Sequence, residues 1–235
     1  MRIMENKGSE HPLSILQTQA YQAFLGMGFE IVSGPELETQ WFNFDALNVP
    51  KDHPARDMQD TFYIKGQPEN VLRTHATNAS AHALKRCAEE GISEAAFISI
   101  GKVYRNEATD ATHEMQFYQV DGCMIGKDVS LANLKAVLLA FYTKMLGDDV
   151  EILFRPSFFP FTEPSVEVFV QFKGKLLEVM GAGMLHPNVL KNAGLDPEKV
   201  QGFAFGGGLD RIAMVKWGIP DVRLFYQGDL RLNQF

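Results

Sequence analysis

The 235-residue sequence predicts an α+β fold in which a mixed, mainly antiparallel sheet is flanked by helices. Three observations predict it. Strand-like runs come in neighbouring pairs, at 97–106 with 115–125 and at 166–172 with 175–181. Helical patterns are inserted between them at intervals, without strict strand–helix–strand alternation. A content of 46% apolar and 11% aromatic residues is enough for one substantial core.

Each element has a local reason. Over 12–28, Leu16, Ala20, Ala23, Phe24 and Met27 recur at helical spacing, and Gly26 and Gly28 weaken the end. The stretch 34–62, "GPELETQWFNFDALNVPKDHPARDMQDTF", is too aromatic for a disordered linker and too interrupted by proline for one long helix or a central strand. It is expected to pack as an irregular segment, within the fold or on another subunit. Residues 77–90 form a helix around Leu84, Cys87 and Ala88, closed by Gly91. Ser130 caps a third helix, whose Leu131, Leu134, Val137, Leu138, Phe141 and Met145 face one side until Gly147. A further strand is expected at 150–155. The last piece, 202–220, reads as a strand, a glycine turn and a helix ended by Gly218 and Pro220.

The bulk numbers exclude several functions. No apolar run of bilayer length and no leader pattern is present, so the expected location is cytoplasmic, with no membrane partner. Cys87 and Cys123 match no zinc spacing and read as reduced and buried. The net charge of −7 has the wrong sign for gripping nucleic acid unaided. The GGG at 206–208 is not GxGxxG after an early strand, and GxxxxGK[ST] is absent. A nucleotide, if bound, is bound on another kind of fold.

The segment "KVYRNEATDATHEMQFYQVDG" (102–122) carries the most chemistry. Side chains of a strand alternate, so Val103, Arg105 and Glu107 share a face, as do Met115, Phe117, Gln119 and Asp121. Paired through a loop at 108–114, the two runs gather a guanidinium fork suited to phosphate, a ring suited to a base, and oxygens suited to an ammonium group. A solvated face with an incidental ion pair is the competing reading. "FRPSFFPFTEPS" sets Phe159 and Phe161 on one side of a proline-stiffened strand, as pocket walls or as ordinary core. "LRTHATNAS" sets His75 and Thr77 before a helix, as ligand contacts or as cap residues. "GGGLDR" puts Arg211 in a first helical turn, where anions are favoured, unless it pairs with Asp210 or a surface neighbour.

Two arginines, one on a hairpin strand and one opening a late helix, resemble motifs 2 and 3 of class II aminoacyl-tRNA synthetases. The resemblance narrows with "LRTH", "YRNEATDATHEMQFYQVDG", "RPSFFPFTEPSVEV", "GAGM" and "GFAFGGGLDRIAM", which are similar, in order, to the catalytic domain of phenylalanyl-tRNA synthetase α subunits. It implies a class II synthetase-type fold over 11–235 as a single catalytic domain, after a 1–10 extension without the coiled-coil arm usual in the family. It implies ATP-dependent activation of phenylalanine to phenylalanyl-adenylate and transfer to the phenylalanine tRNA. Arg105 is implied to hold the α-phosphate and the substrate carboxylate, and Arg211 the γ-phosphate side. Phe117 is implied to stack on adenine, with Glu107 and His113 also contacting ATP. The ammonium group falls to His75, Thr77, Gln119 and Asp121, the substrate ring to Phe159 and Phe161, and the pocket floor to Ala204. Glu178 is implied to contact the nucleotide or its Mg²⁺.

Three positions depart from the usual bacterial pattern: Thr77 stands where serine is usual, Asp121 where glutamate is usual, and Gln59 where tryptophan often follows "HPARDM". Threonine keeps the hydroxyl, while aspartate shortens the reach by a methylene. The resemblance also implies a β subunit that supplies tRNA-binding surface and hydrolytic correction, in an (αβ)₂ assembly with 34–62 at the α–α interface. Two alternatives stand beside it. One is a class II relative that activates another amino acid, and the other a non-catalytic, synthetase-like regulatory protein.

Overall fold

The computed structural model describes residues 9–230 and 232. The expected 1–10 extension and the last residues of the expected 11–235 domain therefore lie largely or partly outside the described residues. The helices are α1 (Pro12–Leu25), α2 (Gln40–Asn43), α3 (Thr77–Glu90), α4 (Leu131–Leu146), α5 (Pro187–Ala193) and α6 (Leu209–Trp217). The strands are β1 (Glu30–Ile31), β2 (Leu37–Thr39), β3 (Tyr63–Ile64), β4 (Gln67–Leu72), β5 (Ala95–Tyr104), β6 (Gln116–Gly126), β7 (Glu151–Phe159), β8 (Thr162–Phe172), β9 (Lys175–Leu185) and β10 (Gln201–Gly208).

Seven strands form the main sheet in the order β1-β5-β6-β10-β9-β8-β7. Only β1 runs parallel to its neighbour; the other pairs are antiparallel, so the mixed, mainly antiparallel sheet is as expected. A second sheet, β2-β4-β3, forms inside and beside the segment read as irregular. Its strands have two, three and six residues, too short for an alternating pattern to stand out against the prolines.

Helix caps decide the boundaries. His11 accepts the Leu13 N–H and Pro12 opens α1, which ends at Leu25, three residues earlier than expected, because the Gly26 N–H already closes the last turn on Gln22. The α4 cap is reciprocal: Ser130 accepts the Asn133 N–H and the Asn133 side chain accepts the Ser130 N–H. Strand ends shift too. The 150–155 strand runs on to Phe159, and 166–172 begins at Thr162 and pairs with a strand that continues to Leu185.

Neighbouring strand residues feed two separate apolar clusters. Ile98, Val120, Phe203 and Phe205 pack with α1, α4 and α6, whereas Phe97, Cys123, Ile125 and Ala204 pack with α3, α5 and residues 44–49. Both thiols are buried and free, as expected. The second face is only partly covered. Its open end, where Gln119, Asp121 and Ala204 point and Gly206 leaves room, holds a cavity. No described helix is long and apolar enough to cross a membrane.

Candidate active site

The cavity has a volume of about 710 Å³. Twelve of the thirteen residues singled out from the sequence line it: His75, Thr77, Arg105, His113, Phe117 and Gln119, with Asp121, Phe159, Phe161, Glu178, Ala204 and Arg211. Register explains the hairpin's share. Val103 pairs with Phe117, Gly101 with Gln119 and Ser99 with Asp121, so Arg105, Phe117, Gln119 and Asp121 all project from one face. The Arg105 guanidinium sits 5.1 Å from the Phe117 ring centroid, within cation–π range.

Glu107 is the exception. The last rung of the hairpin is the Arg105 N–H donating to Met115 O, after which the Asn106 N–H turns away to Asp60 O. Strand alternation therefore stops one residue too early, and Glu107 lies exposed outside the cavity lining. Its charge still acts on Arg105: burial lowers the guanidinium pKa, and Glu107 and then Asp60 oppose that. At the rim, His113 is exposed and its Nδ1 lies 3.0 Å from Asp110. The Thr112 N–H, the His113 ring and the Thr112 hydroxyl hold the Asp110 carboxyl far below its ordinary range.

Arg211 opens α6, and the expected competitor for it is occupied elsewhere. Asp210 is 3% exposed; its Oδ2 accepts the Tyr118 N–H at 2.8 Å and its Oδ1 accepts the Tyr226 hydroxyl. Burial raises the Asp210 pKa to about 6 against those two hydrogen bonds. Neither Arg105 nor Arg211 has an ion-pair partner among the described residues. Two unneutralised guanidinium groups thus line one cavity, with an aromatic ring beside the first.

The other end is preorganised by hydrogen bonds. Asp121 is 2% exposed; Thr77 Oγ1 donates to its Oδ2 at 2.6 Å and Ser80 Oγ to its Oδ1 at 3.0 Å. Burial pushes the Asp121 pKa up to about 7, opposed by those two donors and by the charge of Arg73. Gln119 accepts the Ala76 N–H at 2.9 Å, which frees its amide NH₂ as the donating end. His75 Nε2 lies 3.0 Å from Asn43 O; a carbonyl only accepts, so Nε2 carries the proton and the buried Nδ1 remains an acceptor without a partner among the described residues. Burial first, then the charge of Arg105, lowers the His75 pKa to about 4 and keeps the ring neutral.

Phe159 and Phe161 are not on one strand. Phe159 ends β7 and Phe161 sits in the following turn, where Asn48 donates to Pro160 O and the His186 N–H to Phe161 O. Even so, their rings stack 5.9 Å apart at 8°, forming an aromatic wall. Ala204, 5% exposed on β10, lies at the apolar end. Glu178 is exposed on β9, opposite Phe169 and beside a register shift against β8 in which Val179 is the extra residue.

Two contributors were not anticipated. A Cβ on Gly206 would stand 2.8 Å from Asp121 Oδ2 and 3.2 Å from Gln119 Nε2, so only glycine leaves these polar ends open to the cavity. The GGG run is its sequence signal. Ser80, one helical turn after Thr77, is the other; its spacing placed it on the same helix face.

Residues 2–235 match the family described as tRNA synthetases class II core domain (F). The phenylalanine–tRNA ligase alpha subunit of Bacillus mycoides (strain KBAB4) is 48% identical over 241 positions, spanning 97% of this chain and 69% of that protein. Those of Bacillus cytotoxicus and Bacillus cereus (strain B4264) match with the same identity and coverage.

Proposed function

The chain belongs to the class II aminoacyl-tRNA synthetase core family, alongside phenylalanine–tRNA ligase alpha subunits, and from that premise we propose that it is a catalytic α subunit that activates phenylalanine with ATP and charges the phenylalanine tRNA. The observation that carries this reading is one cavity that joins two unpaired guanidinium groups to a buried ammonium site and an aromatic wall. Those are the features a carboxylate, a triphosphate, an ammonium group and a phenyl ring require together.

In the proposed chemistry the phenylalanine carboxylate attacks the α-phosphorus of ATP. A P–O bond forms to the carboxylate, the bond to the bridging oxygen breaks, and pyrophosphate leaves with that electron pair. Arg105 holds the α-phosphate and the carboxylate together, and Arg211 meets the γ-phosphate side. Phe117 supports the adenine, with His113 at the rim and Glu107 acting on Arg105 from outside. Asp121, Thr77, Gln119 and the neutral His75 hold the ammonium group, while Phe159, Phe161 and Ala204 enclose the ring. A ribose hydroxyl of the terminal adenosine then attacks the carbonyl carbon; the ester C–O bond forms, the bond from the carbonyl carbon to the phosphate oxygen breaks, and AMP leaves with that electron pair as its phosphate takes up the hydroxyl proton. Positioning and charge neutralisation suffice for both steps, so no protein nucleophile is required.

ATP is the nucleotide expected of the family, and Mg²⁺ fits it in a limited way. No group of three or more His, Cys, Asp or Glu suited to a metal occurs among the described residues, whereas Glu178 supplies a single exposed carboxylate on the cavity wall. Mg²⁺ keeps much of its shell as water and phosphate, so one carboxylate beside a triphosphate suits it. When bound, it would neutralise phosphate charge.

A β subunit is proposed as partner, supplying tRNA-binding surface that a net charge of −7 does not favour here, together with hydrolytic correction of tyrosine. An apolar pocket rejects an added hydroxyl by only about 10²-fold. An (αβ)₂ assembly, with 34–62 between α subunits, is supported by the exposure of Leu37, Trp41 and Met58 on that segment. A cytoplasmic site of action and a single catalytic domain over 11–235 complete the reading.

ATP–pyrophosphate exchange across a panel of amino acids, with the chain alone and with a β subunit, tests it. Phenylalanine is expected to drive exchange well above every other amino acid. Preference for a different amino acid would favour the relative with altered specificity, and no exchange under either condition would favour a non-catalytic protein.

A further inference from the structure

Arg73, two residues before His75, is 4% exposed and has no ion-pair partner within 4.0 Å among the described residues. Its Nε donates to Lys102 O at 2.7 Å on β5, and its Nη1 to Gly34 O at 2.9 Å. The backbone adds two bonds: its N–H donates to Glu36 O and its carbonyl accepts the Tyr104 N–H. Room for the fork comes from Gly101, where a Cβ would stand 2.1 Å from Arg73 Nη2. Gly101 itself lies opposite Gln119 across the hairpin. A buried, always-charged group is therefore fixed beside Gln119, on the same face of the hairpin as Gln119 and Asp121.

Burying a cation without a carboxylate partner is costly, and it persists only where carbonyl oxygens and nearby charge compensate. Arg73 feels four groups in particular: Glu36, Tyr104, Asp121 and Glu38 all favour its charged form. In return its charge favours the ionised form of Asp121 and the neutral form of His75. The remaining ionisable neighbours are Tyr21, which Arg73 also influences, Cys123 beside Asp121, and Arg105, which acts on His75 from the cavity.

We propose that Arg73 is a positioning residue for the amino-acid end of the site: its fork, held beside Gln119 on the same sheet face, sets a fixed positive charge that favours the carboxylate form of Asp121, so that a substrate ammonium group meets a negative charge. The inference rests on the reading of Thr77, Gln119 and Asp121 as the ammonium site. Arg73 itself touches no substrate.

The test is phenylalanine-dependent ATP–pyrophosphate exchange by the intact enzyme, with KM for phenylalanine and for ATP measured separately at pH 7 and pH 8.5. With the Asp121 pKa at about 7, losing the Arg73 charge raises it further and so cuts the ionised fraction at pH 7 far more than at pH 8.5, where the carboxylate is largely ionised either way. Arg73→Gln is expected to raise KM for phenylalanine about fivefold at pH 7 and within about 1.5-fold at pH 8.5, with KM for ATP unchanged. Gly101→Ala, which displaces the fork by a different route, is expected to behave alike. Arg73→Lys, which keeps the charge but loses the fork, is expected to fall between wild type and Arg73→Gln, and it decides the matter if the other two fail to fold. The proposal is overturned if KM for phenylalanine does not move, or if kcat and both KM values change together by the same factor at both pH values. Wild-type exchange that does not depend on phenylalanine would overturn the functional reading itself, whereas phenylalanine-dependent exchange with unresponsive variants would overturn only the role of Arg73.

Discussion

At one end of the cavity Arg105, His113 and Arg211 are exposed, and neither arginine is matched by a carboxylate; at the other, Asp121 is 2% exposed and both its oxygens are already bonded. The arginine end uses charge that remains partly in contact with water, and although burial lowers the Arg105 pKa, guanidinium stays ionised in any environment it meets here. The aspartate end uses charge that burial works against, and so it needs Thr77, Ser80 and the glycine opposite to define it. Substitutions at the first end should therefore damage rate with little effect on folding, while those at the second should couple binding, pH and stability.

The largest expected effect breaks the arginine end. Arg105→Ala should lower the exchange rate by about 10²–10³-fold, by removing charge stabilisation at the reacting phosphate, while the melting temperature stays close to that of wild type. A drop in both would show that Arg105 is structural. Next comes Asp121→Asn, expected to raise KM for phenylalanine by about 10²-fold with KM for ATP little changed. Its stability consequence has a definite sign. The folded pKa of Asp121 is about 7, and of Asp210 about 6, both above the ordinary 3.8, so between roughly pH 4 and pH 7 the native state holds protons that the unfolded chain has lost. Unliganded stability should thus fall as pH rises through that window. Asn at 121 should flatten part of the fall, and urea titrations at pH 5 and pH 8 would measure it.

A smaller effect sharpens the apolar boundary of the aspartate end. Ala204→Gly should enlarge the pocket floor and raise the exchange rate with p-chlorophenylalanine relative to phenylalanine by about tenfold. An unchanged ratio would move the floor elsewhere. The smallest expected effect lies outside the site. Tyr142 is fully buried in the core with no partner for its hydroxyl among the described residues, so Tyr142→Phe should leave exchange unchanged and stability equal or higher by about 1 kcal/mol, read by chemical denaturation.

The same contrast governs how much the sequence reveals. Hairpin residues alternate with period two, and that alone puts Arg105, Phe117, Gln119 and Asp121 on one face; Glu107 fails only because the ladder stops after Arg105. Long helices with glycine or serine punctuation, such as α3 and α4, are legible for similar local reasons. The short strands β1 to β4 are not, because two to six residues interrupted by proline carry no period, and α5 has only seven residues to display one. Arg73 is invisible for a different reason. Its role depends on a missing side chain at Gly101 and on carbonyls from Gly34 and Lys102, partners that a linear pattern does not connect. Alternation puts Phe159 and Phe161 on one side of a single strand, whereas the rings stack across the turn that follows β7, a geometry no linear period encodes.

The central claim is that both guanidinium groups act on one triphosphate while the buried aspartate receives the amino group of the same reaction. A crystal structure of the chain with a non-hydrolysable phenylalanyl-adenylate analogue and pyrophosphate tests it most directly. The account predicts Arg105 in hydrogen-bonding range of the α-phosphate mimic, Arg211 on the pyrophosphate, and the analogue's ammonium group at Thr77, Gln119 and Asp121. An analogue bound with either arginine turned out to solvent, or with its ammonium group away from Asp121, would contradict it.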